Sequence, residues 1–282
     1  MNKLSTERRS QIIACLVEGN SIRATCRMTN SSKGAVLKLL ASLGEACLDY
    51  QDKVLRNLPC TNIQCDEIWS FCYSKEKNVP KDKKGKFGYG DCWTWTAICA
   101  DTKLVPSWFV GTRDAMAAYQ FMHDLKDRLA KRVQLTTDGH KAYLSAVESA
   151  FGTEIDYAML EKIYGAAPEG REIRYSPAEC VGCNVKSIMG HPDKNLVSTS
   201  FAERQNLTMR MSMRRFTRLT NAHSKKIENH EHALALYFMH YNFCRIHQTL
   251  RCTPAMEAGV SDHVWTLEEI IDLLNQTNNL KK

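Results

Sequence analysis

A chain of 282 residues can bury a full core and has room for about two domains. Its 44% apolar and 24% charged residues suit an ordinary soluble globular protein, and a formal net charge of +7 is moderate, so its distribution matters more than its total. The start carries Glu7, Arg8 and Arg9 with no long apolar core, which argues against a signal peptide, and no stretch approaches the ~20 apolar residues of a membrane span, so the twelve cysteines are expected as free thiols in a reducing cytoplasm, not as a disulfide framework.

Ser5 to Gly19 reads as a helix capped by Ser5 or Thr6, with Ile12, Ile13, Leu16 and Val17 on one face. Ser21 to Met28 is a second short helix, and Thr29-Asn30-Ser31-Ser32 a polar turn. Lys33 to Leu43 is a third, with Val36, Leu37, Leu39 and Leu40 as its apolar set. Three short helices with a tight turn before the last suggest a helix-turn-helix, in which Ser31, Ser32, Lys33 and Lys38 would face DNA. A purely structural helical cap is the plainer alternative. Leu43 to Leu58 reads as a further helix and linker, ending at Pro59.

The pattern then changes to strands. Thr61 to Tyr73 is rich in β-branched and aromatic residues, Lys75 to Lys86 is a charged loop suited to a hairpin tip, and Asp91 to Ala100 and Leu104 to Val110 are strands. Ala115 to Ala130 is an amphipathic helix, Val133 to Thr137 a short strand, and His140 to Phe151 a helix. This order describes a mixed sheet with helices packed on it. Trp69, Trp93 and Trp95 read as core. Residues Phe151 to Ser198 are poorly periodic and contain Pro168, Gly170, Pro177, Gly182, Gly190 and Pro192, so they read as an insert or flap with short strands. A helix from Ser200 to Arg215, a long helix from His223 to Tyr241 and a last amphipathic helix from Thr266 to Asn275 follow, and the tail from Asn278 to Lys282 is expected to be disordered.

The helix that opens at Ser200 holds a lone acid, Glu203, followed by Arg204, Arg210, Arg214 and Arg215. Asn206 and Arg210 lie about one and two turns beyond Glu203, so all three can share a face. Two further carboxylates suit a sheet-based metal site: Asp66 inside the first strong strand, and Asp138 at the end of a later one. They are too distant in sequence for local pairing, so only the fold can unite them. Carboxylate oxygens suit Mg²⁺ or Mn²⁺, and two such ions about 4 Å apart can activate an attacking oxygen and stabilise a leaving one in phosphodiester chemistry. Each acid also has a plainer reading. Asp138 before Gly139 is a common turn residue, Glu203 suits a helix N-terminus, and Glu67 beside Asp66 leaves a choice that strand alternation makes by sending the two to opposite faces.

Asp66-Glu67-Ile68-Trp69-Ser70-Phe71, then Thr137-Asp138-Gly139 with Tyr143, then Glu203-Arg204-Gln205-Asn206-Leu207-Thr208-Met209-Arg210, together resemble the catalytic signatures of transposases of the insertion-sequence-one type, within the DDE transposase and retroviral-integrase-like group. The tract from Tyr241 to Leu250 with Thr253-Pro254 is similar to the close of many integrase-type domains. The resemblance covers roughly residues 60 to 255. It implies an α/β, ribonuclease H-like mixed sheet with flanking helices, preceded here by an all-α helix-turn-helix domain. It implies that Asp66, Asp138 and Glu203 are the catalytic metal triad, holding two Mg²⁺ or Mn²⁺ ions. The stretch from Tyr157 to Asn195 is longer than a minimal core needs between the second Asp and the Glu. Its Cys180-Val181-Gly182-Cys183 with His191 is incomplete as a zinc site, so free thiols are the expectation.

The expected organisation is a DNA-binding domain and linker helix over 1–58, a catalytic domain over 59–258 with its insert at about 152–198, and a C-terminal helix and tail over 259–282. Asn206, Arg210, Arg214, Arg215, Arg218, Lys225 and Lys226 are candidate DNA contacts, since their density favours phosphate binding over a solvated basic face. His140 and His247 are weaker candidates for the scissile phosphate, while His123, His230 and His232 read as structural or surface residues. The expected activity is cleavage at the ends of a mobile element and attack of the new 3′-OH on target DNA. The partners are the element's inverted-repeat ends, target DNA and a second copy of the chain, in the bacterial cytoplasm at the nucleoid and away from membranes. A non-catalytic helix-turn-helix regulator and a ribonuclease H-like nuclease without strand transfer are the alternatives.

Overall fold

The computed structural model describes residues 4–165, 179–217 and 220–280. Its N-terminal helices are α1 (Thr6–Val17), α2 (Ile22–Met28) and α3 (Lys33–Val54). Each is opened by a serine whose hydroxyl accepts a backbone N–H of the first turn: Ser5 from Arg8, Ser21 from Ala24 and Ser32 from Ala35. Two helices meeting at Leu43 were expected, and α3 instead runs unbroken for 22 residues. No proline interrupts it, and Gly44, which reads as a weak point, serves a later helix, α7 (Ile227–Met239). A Cβ at Gly44 would lie 2.4 Å from the His232 Cβ, so the missing side chain lets the two helices close up.

Six strands form one sheet: β1 (Asn62–Cys72), β2 (Gly90–Cys99), β3 (Ser107–Gly111), β4 (Val133–Thr137), β5 (Ile155–Tyr164) and β6 (Cys180–Met189). Their spatial order is β3-β2-β1-β4-β5-β6. The pairs β1–β2, β2–β3 and β5–β6 are antiparallel, whereas β1–β4 and β4–β5 are parallel. The parallel steps are bridged by α4 (Ala115–Arg128) and α5 (Ala142–Phe151). The result is an α/β chain with a mixed sheet flanked by helices, consistent with a ribonuclease H-like arrangement.

The expected insert needs correcting. Residues Ile155 to Leu160 are nearly all buried, and they pair with the whole of β4 as the fifth strand of the sheet. Only β6 has the exposure of a peripheral strand. Pro168, Gly170 and Pro177, which weighed toward a flap, lie outside the described residues.

After β6 come α6 (Ser200–Ser212), a 3-10 turn at Arg214–Phe216, α7, a π-helical turn at His240–Cys244, α8 (Pro254–Glu257) and α9 (Leu267–Leu280). Helix α6 therefore stops short of Arg215, because Met213 turns to extended backbone. Helix α9 continues to Leu280, through most of the tail expected to be disordered, and residues 281 and 282 lie outside the described residues. The buried apolar side chains of α1 and α3 join those of the sheet and α7 in one contiguous core. The boundary expected at residue 58 falls in the link between α3 and β1.

Strands β1 and β2 are the longest pair, and they run on past the end of β4. The last paired residue of β4, Thr137, faces Cys65, while β1 continues to Cys72. At the far end Tyr73 has φ of 66°, a left-handed conformation costly for an aromatic residue. It is held there by its N–H, which donates to the Ser224 carbonyl at 2.8 Å.

Candidate active site

The register of β1 against β4 builds the centre of the site. Cys65 lies opposite Thr137 in the parallel ladder, so the next residues along, Asp66 and Asp138, stand side by side where β4 ends. Asp138 Oδ1 accepts the His140 backbone N–H at 2.9 Å, the short turn that an Asp makes with its own chain two residues on. Asp66 Oδ1 accepts the Glu67 N–H at 2.8 Å, and Oδ2 accepts the Asn206 side-chain amide at 2.8 Å.

Helix α6 is fixed to the same strand. Gln64 sits two residues before Asp66 and so on the same face. Its Oε1 accepts the N–H groups of Phe201 and Ala202 at 2.8 and 3.3 Å, satisfying donors that the first turn leaves unpaired. One residue further is Glu203. Its Oε1 accepts the Thr199 hydroxyl at 2.6 Å and pairs with Lys162 Nζ of β5 at 2.5 Å. Asp66, Asp138 and Glu203 line one open cleft of about 700 Å³, together with Arg113, His140 and Lys162.

A fourth carboxylate enters this site. Oxygens of Asp66, Glu67 and Asp138 lie within 4.8 Å of one another, the one group among the described residues with three or more potential metal ligands. Glu203 is in the cleft but outside that group. Sequence alternation put Glu67 on the face opposite Asp66, and at the level of the strand it does so: Glu67 neighbours the buried Tyr143 of α5, whereas Asp66 meets Asn206 of α6. Because β4 has ended, nothing separates the two faces there, and a glutamate is long enough to reach Asp138 from the other side. The signal in the sequence is a second acid directly after Asp66, with Ile68, Trp69 and Phe71 following it on the strand.

The Glu67 side chain is fully buried, and Arg113 is its counter-charge. The guanidinium donates from Nε to Glu67 Oε2 at 3.3 Å, and its Nη2 stands 3.2 Å from that oxygen and 3.8 Å from Asp138 Oδ2. Burial pushes the Asp66 carboxyl up to about 6, with Asp138 and Glu203 adding to the rise. Burial likewise raises Glu67 to about 7, again with help from Asp138. His140 is held below its usual range by burial and by Arg113, and its Nε2 is buried without a partner.

This donor set fits a hard divalent cation. It is all oxygen, it crowds negative charge that one half-exposed guanidinium only partly offsets, and its protons are held chiefly by burial, with that crowding adding to it. Asp66, Asp138 and Glu67 would hold the ion as placed. Glu203 lies on the cleft wall with its carboxylate engaged by Lys162 and Thr199.

The expected DNA contacts are placed differently from one another. Lys33 and Lys38 are exposed on α3, Ser32 is spent on capping, and Ser31 Oγ donates to the Thr29 carbonyl. Arg210, Arg214, Lys225 and Lys226 are exposed, and Lys225 Nζ lies 2.7 Å from His223 Nε2. Asn206 is buried against Asp66 and not offered to solvent. Arg215 turns inward, donating from Nε to Ser224 Oγ at 2.8 Å, and burial lowers its guanidinium to about 10. Both sit on faces that only the tertiary fold defines. Arg218 lies outside the described residues. Cys180 and Cys183 are exposed on β6, and neither belongs to a group of three or more potential ligands among the described residues.

No family model matches this chain, and no curated protein does. Among solved structures it is similar to the crystal structure of the Mos1 mariner paired end complex with Mn, at 13% identity and a TM-score of 0.23, over 55% of this chain and 60% of that one. It is also similar to the Mos1 strand transfer complex at 13% identity and 0.23, over 56% and 59%, and to a pre-cleavage Mos1 transpososome at 10% and 0.21, over 56% and 60%. The chain thus spans about 60% of the length of the Mos1 chains it matches. Likeness at this level adds nothing to what the site's own geometry supports.

Proposed function

We propose that this chain is a DDE-type DNA transposase, a polynucleotidyl transferase that uses divalent cations to cut at the ends of a mobile element and join the new 3′-OH to target DNA. The observation that carries the reading is the pairing of Asp66 with Asp138 by the β1–β4 register, with Glu203 on the same cleft. Crowded carboxylates beside cationic side chains suit a polyanion whose phosphates must approach bound metal. Cations held there would activate the attacking oxygen and stabilise the leaving 3′ oxygen.

The protein's own groups do the positioning. Asn206 and the Glu67 N–H orient the two oxygens of Asp66, and the His140 N–H orients Asp138. Arg113, fixed by buried Glu67, presents its guanidinium at the cleft to a phosphate oxygen. Lys162 shields Glu203 until substrate phosphate competes for the lysine. The N-terminal helices, with Lys33 and Lys38 outward, would recognise the element's ends, and two ends held together call for at least two copies of the chain. The insertion-sequence-one type follows from the three signatures, and the bacterial nucleoid is the matching location.

The test uses purified chain, Mg²⁺ or Mn²⁺ and labelled end DNA. Asp66→Asn, Asp138→Asn and Glu203→Gln should each abolish nicking and strand transfer while leaving DNA binding intact. Nicking without joined products would assign a nuclease. Binding with no metal-dependent cleavage would assign a regulator. Full activity in all three variants would remove the reading altogether.

A further inference from the structure

The β1–β2 pair continues beyond the acidic cluster as an arm, and one face of that arm alternates aromatic rings with cations. Trp69 and Trp93 face each other across the two strands, and both are half-buried because β4 and α5 have already ended. Trp95, one step back on the same face, is wholly buried against Tyr143, so the covering stops between them. The Arg113 guanidinium lies 4.7 Å over the Trp93 ring. Farther out, the rings of Tyr73 and Tyr89 are 5.2 Å apart, with Lys83 Nζ 4.3 and 4.9 Å from them. Beside this end is a concavity of about 550 Å³ lined by Tyr73, Lys75, His223 and Lys225 among others. The loop beyond it, residues 75–86, holds six lysines against two acids.

We propose that this face is a track for a DNA strand with unpaired bases, running from the acidic cleft to the lysine-rich tip. The proposal rests on the transposase reading for its substrate, but the binding it describes needs no catalysis. The occupant follows from the chemistry. The half-buried rings offer their open faces to any base, and the cations over Trp93, Tyr73 and Tyr89 sit where adjoining phosphates would fall. An apolar protein face is the poorer match, because these rings are spaced with positive charge that suits a regularly charged polyanion. The seven residue-to-residue steps from Asp66 to Tyr73 span roughly 23 Å. That is about seven nucleotides at 3.4 Å of rise each. The track starts at the same guanidinium that pairs with Glu67 and faces Asp138, so a strand seated on it would enter the cleft beside the acids.

The test measures binding by the full chain carrying Glu203→Gln, in EDTA, to labelled duplexes with a seven-nucleotide single-stranded overhang and to blunt duplexes. Overhang DNA should quench tryptophan emission, and blunt DNA should not. Tyr73→Ala and Tyr89→Ala should each cost about tenfold in affinity for the overhang and leave the blunt duplex unchanged. Tyr73→Phe, which keeps the ring and reports on folding of the arm, should bind as the parent does. Lys83→Ala should reduce the salt dependence of overhang binding by roughly 0.7 in log–log slope. Equal affinity for both DNAs with no quench would overturn the track, as would equal losses on both DNAs in Tyr73→Ala. Because no cleavage is read, overhang binding through the arm together with a wild-type chain that never nicks DNA in Mg²⁺ would sink the transposase reading and leave the track standing.

Discussion

Asn206 donates its side-chain amide to Asp66 Oδ2 at 2.8 Å, from within a helix that Gln64, two residues before Asp66 on β1, also caps. Strand and helix are thereby fixed to each other on both sides of Glu203. Asn206→Leu should leave that carboxylate oxygen without its donor and reduce Mg²⁺-dependent nicking at least tenfold. Loss of one hydrogen bond to a charged group should also cost about 1.5–3 kcal/mol of stability. Urea denaturation alongside nicking assays checks both, and Asn206→Gln, which keeps an amide at the wrong length, should recover stability better than activity.

The raised carboxyls set a pH dependence. With Asp66 at about 6 and Glu67 at about 7, the folded, metal-free chain binds protons that the unfolded chain has already released between about pH 4 and 7. Metal-free stability should therefore be fullest below pH 4 as far as these two groups are concerned, and should fall as pH rises through 6 to 7. A divalent cation competes with those protons, so added Mn²⁺ should raise Tm more at pH 8 than at pH 5. Scanning calorimetry across pH, with and without the metal, is the measurement. A Tm increment independent of pH would count against the acidic cluster as its binding site.

Arg113 and Glu67 should behave as a unit. Removing the guanidinium leaves a fully buried carboxylate without its counter-charge, so Arg113→Ala should destabilise the chain at pH 8 by about 1–3 kcal/mol. The guanidinium is itself 39% exposed, which keeps the loss below that of a wholly buried pair. In a Glu67→Gln background the same change should cost much less. The double-mutant cycle reads the coupling directly, and a coupling near zero would mean that the pair contributes nothing.

The two glycines of α3 should respond in opposite directions. Gly44→Ala would drive a methyl to within 2.4 Å of the His232 Cβ and force α3 away from α7, costing several kcal/mol. A Cβ at Gly34 meets nothing within 4 Å, and Gly34→Ala should stabilise by up to ~1 kcal/mol through helix propensity. Thermal melts of both variants decide this.

The sequence carried the kinds of elements better than their pairing. The strand around Asp66, rich in β-branched and aromatic residues, the Asp-Gly after β4 and the acid that opens α6 are all visible as local patterns. What joined the first two was the register Cys65 to Thr137, which no local pattern encodes. Alternation hides Glu67, because it describes where a side chain starts, not how far it reaches once a neighbouring strand has ended. Ile155, Tyr157, Ala158, Met159 and Leu160 form a buried run, but the turn formers downstream break the periodicity that would mark β5 as a sheet strand. Asn206 and Arg215 looked like surface residues on a basic helix. The burial of Asn206 and the inward turn of half-buried Arg215 follow from which face of α6 and its following turn meets β1 and the Ser224 segment.

The double attachment of α6 to β1 has a kinetic consequence. Gln64 and Asn206 leave Glu203 no freedom through its backbone. What it can do is turn about its own side-chain torsions once Lys162 and Thr199 let go. Such rotations take picoseconds to nanoseconds, whereas hinge closures take microseconds to milliseconds. On the transposase reading, the waiting time for this carboxylate to reach Asp66 and Asp138 would be set by how fast a phosphate strips Lys162 from it, and arrival of DNA, not breathing of the protein, would be the clock.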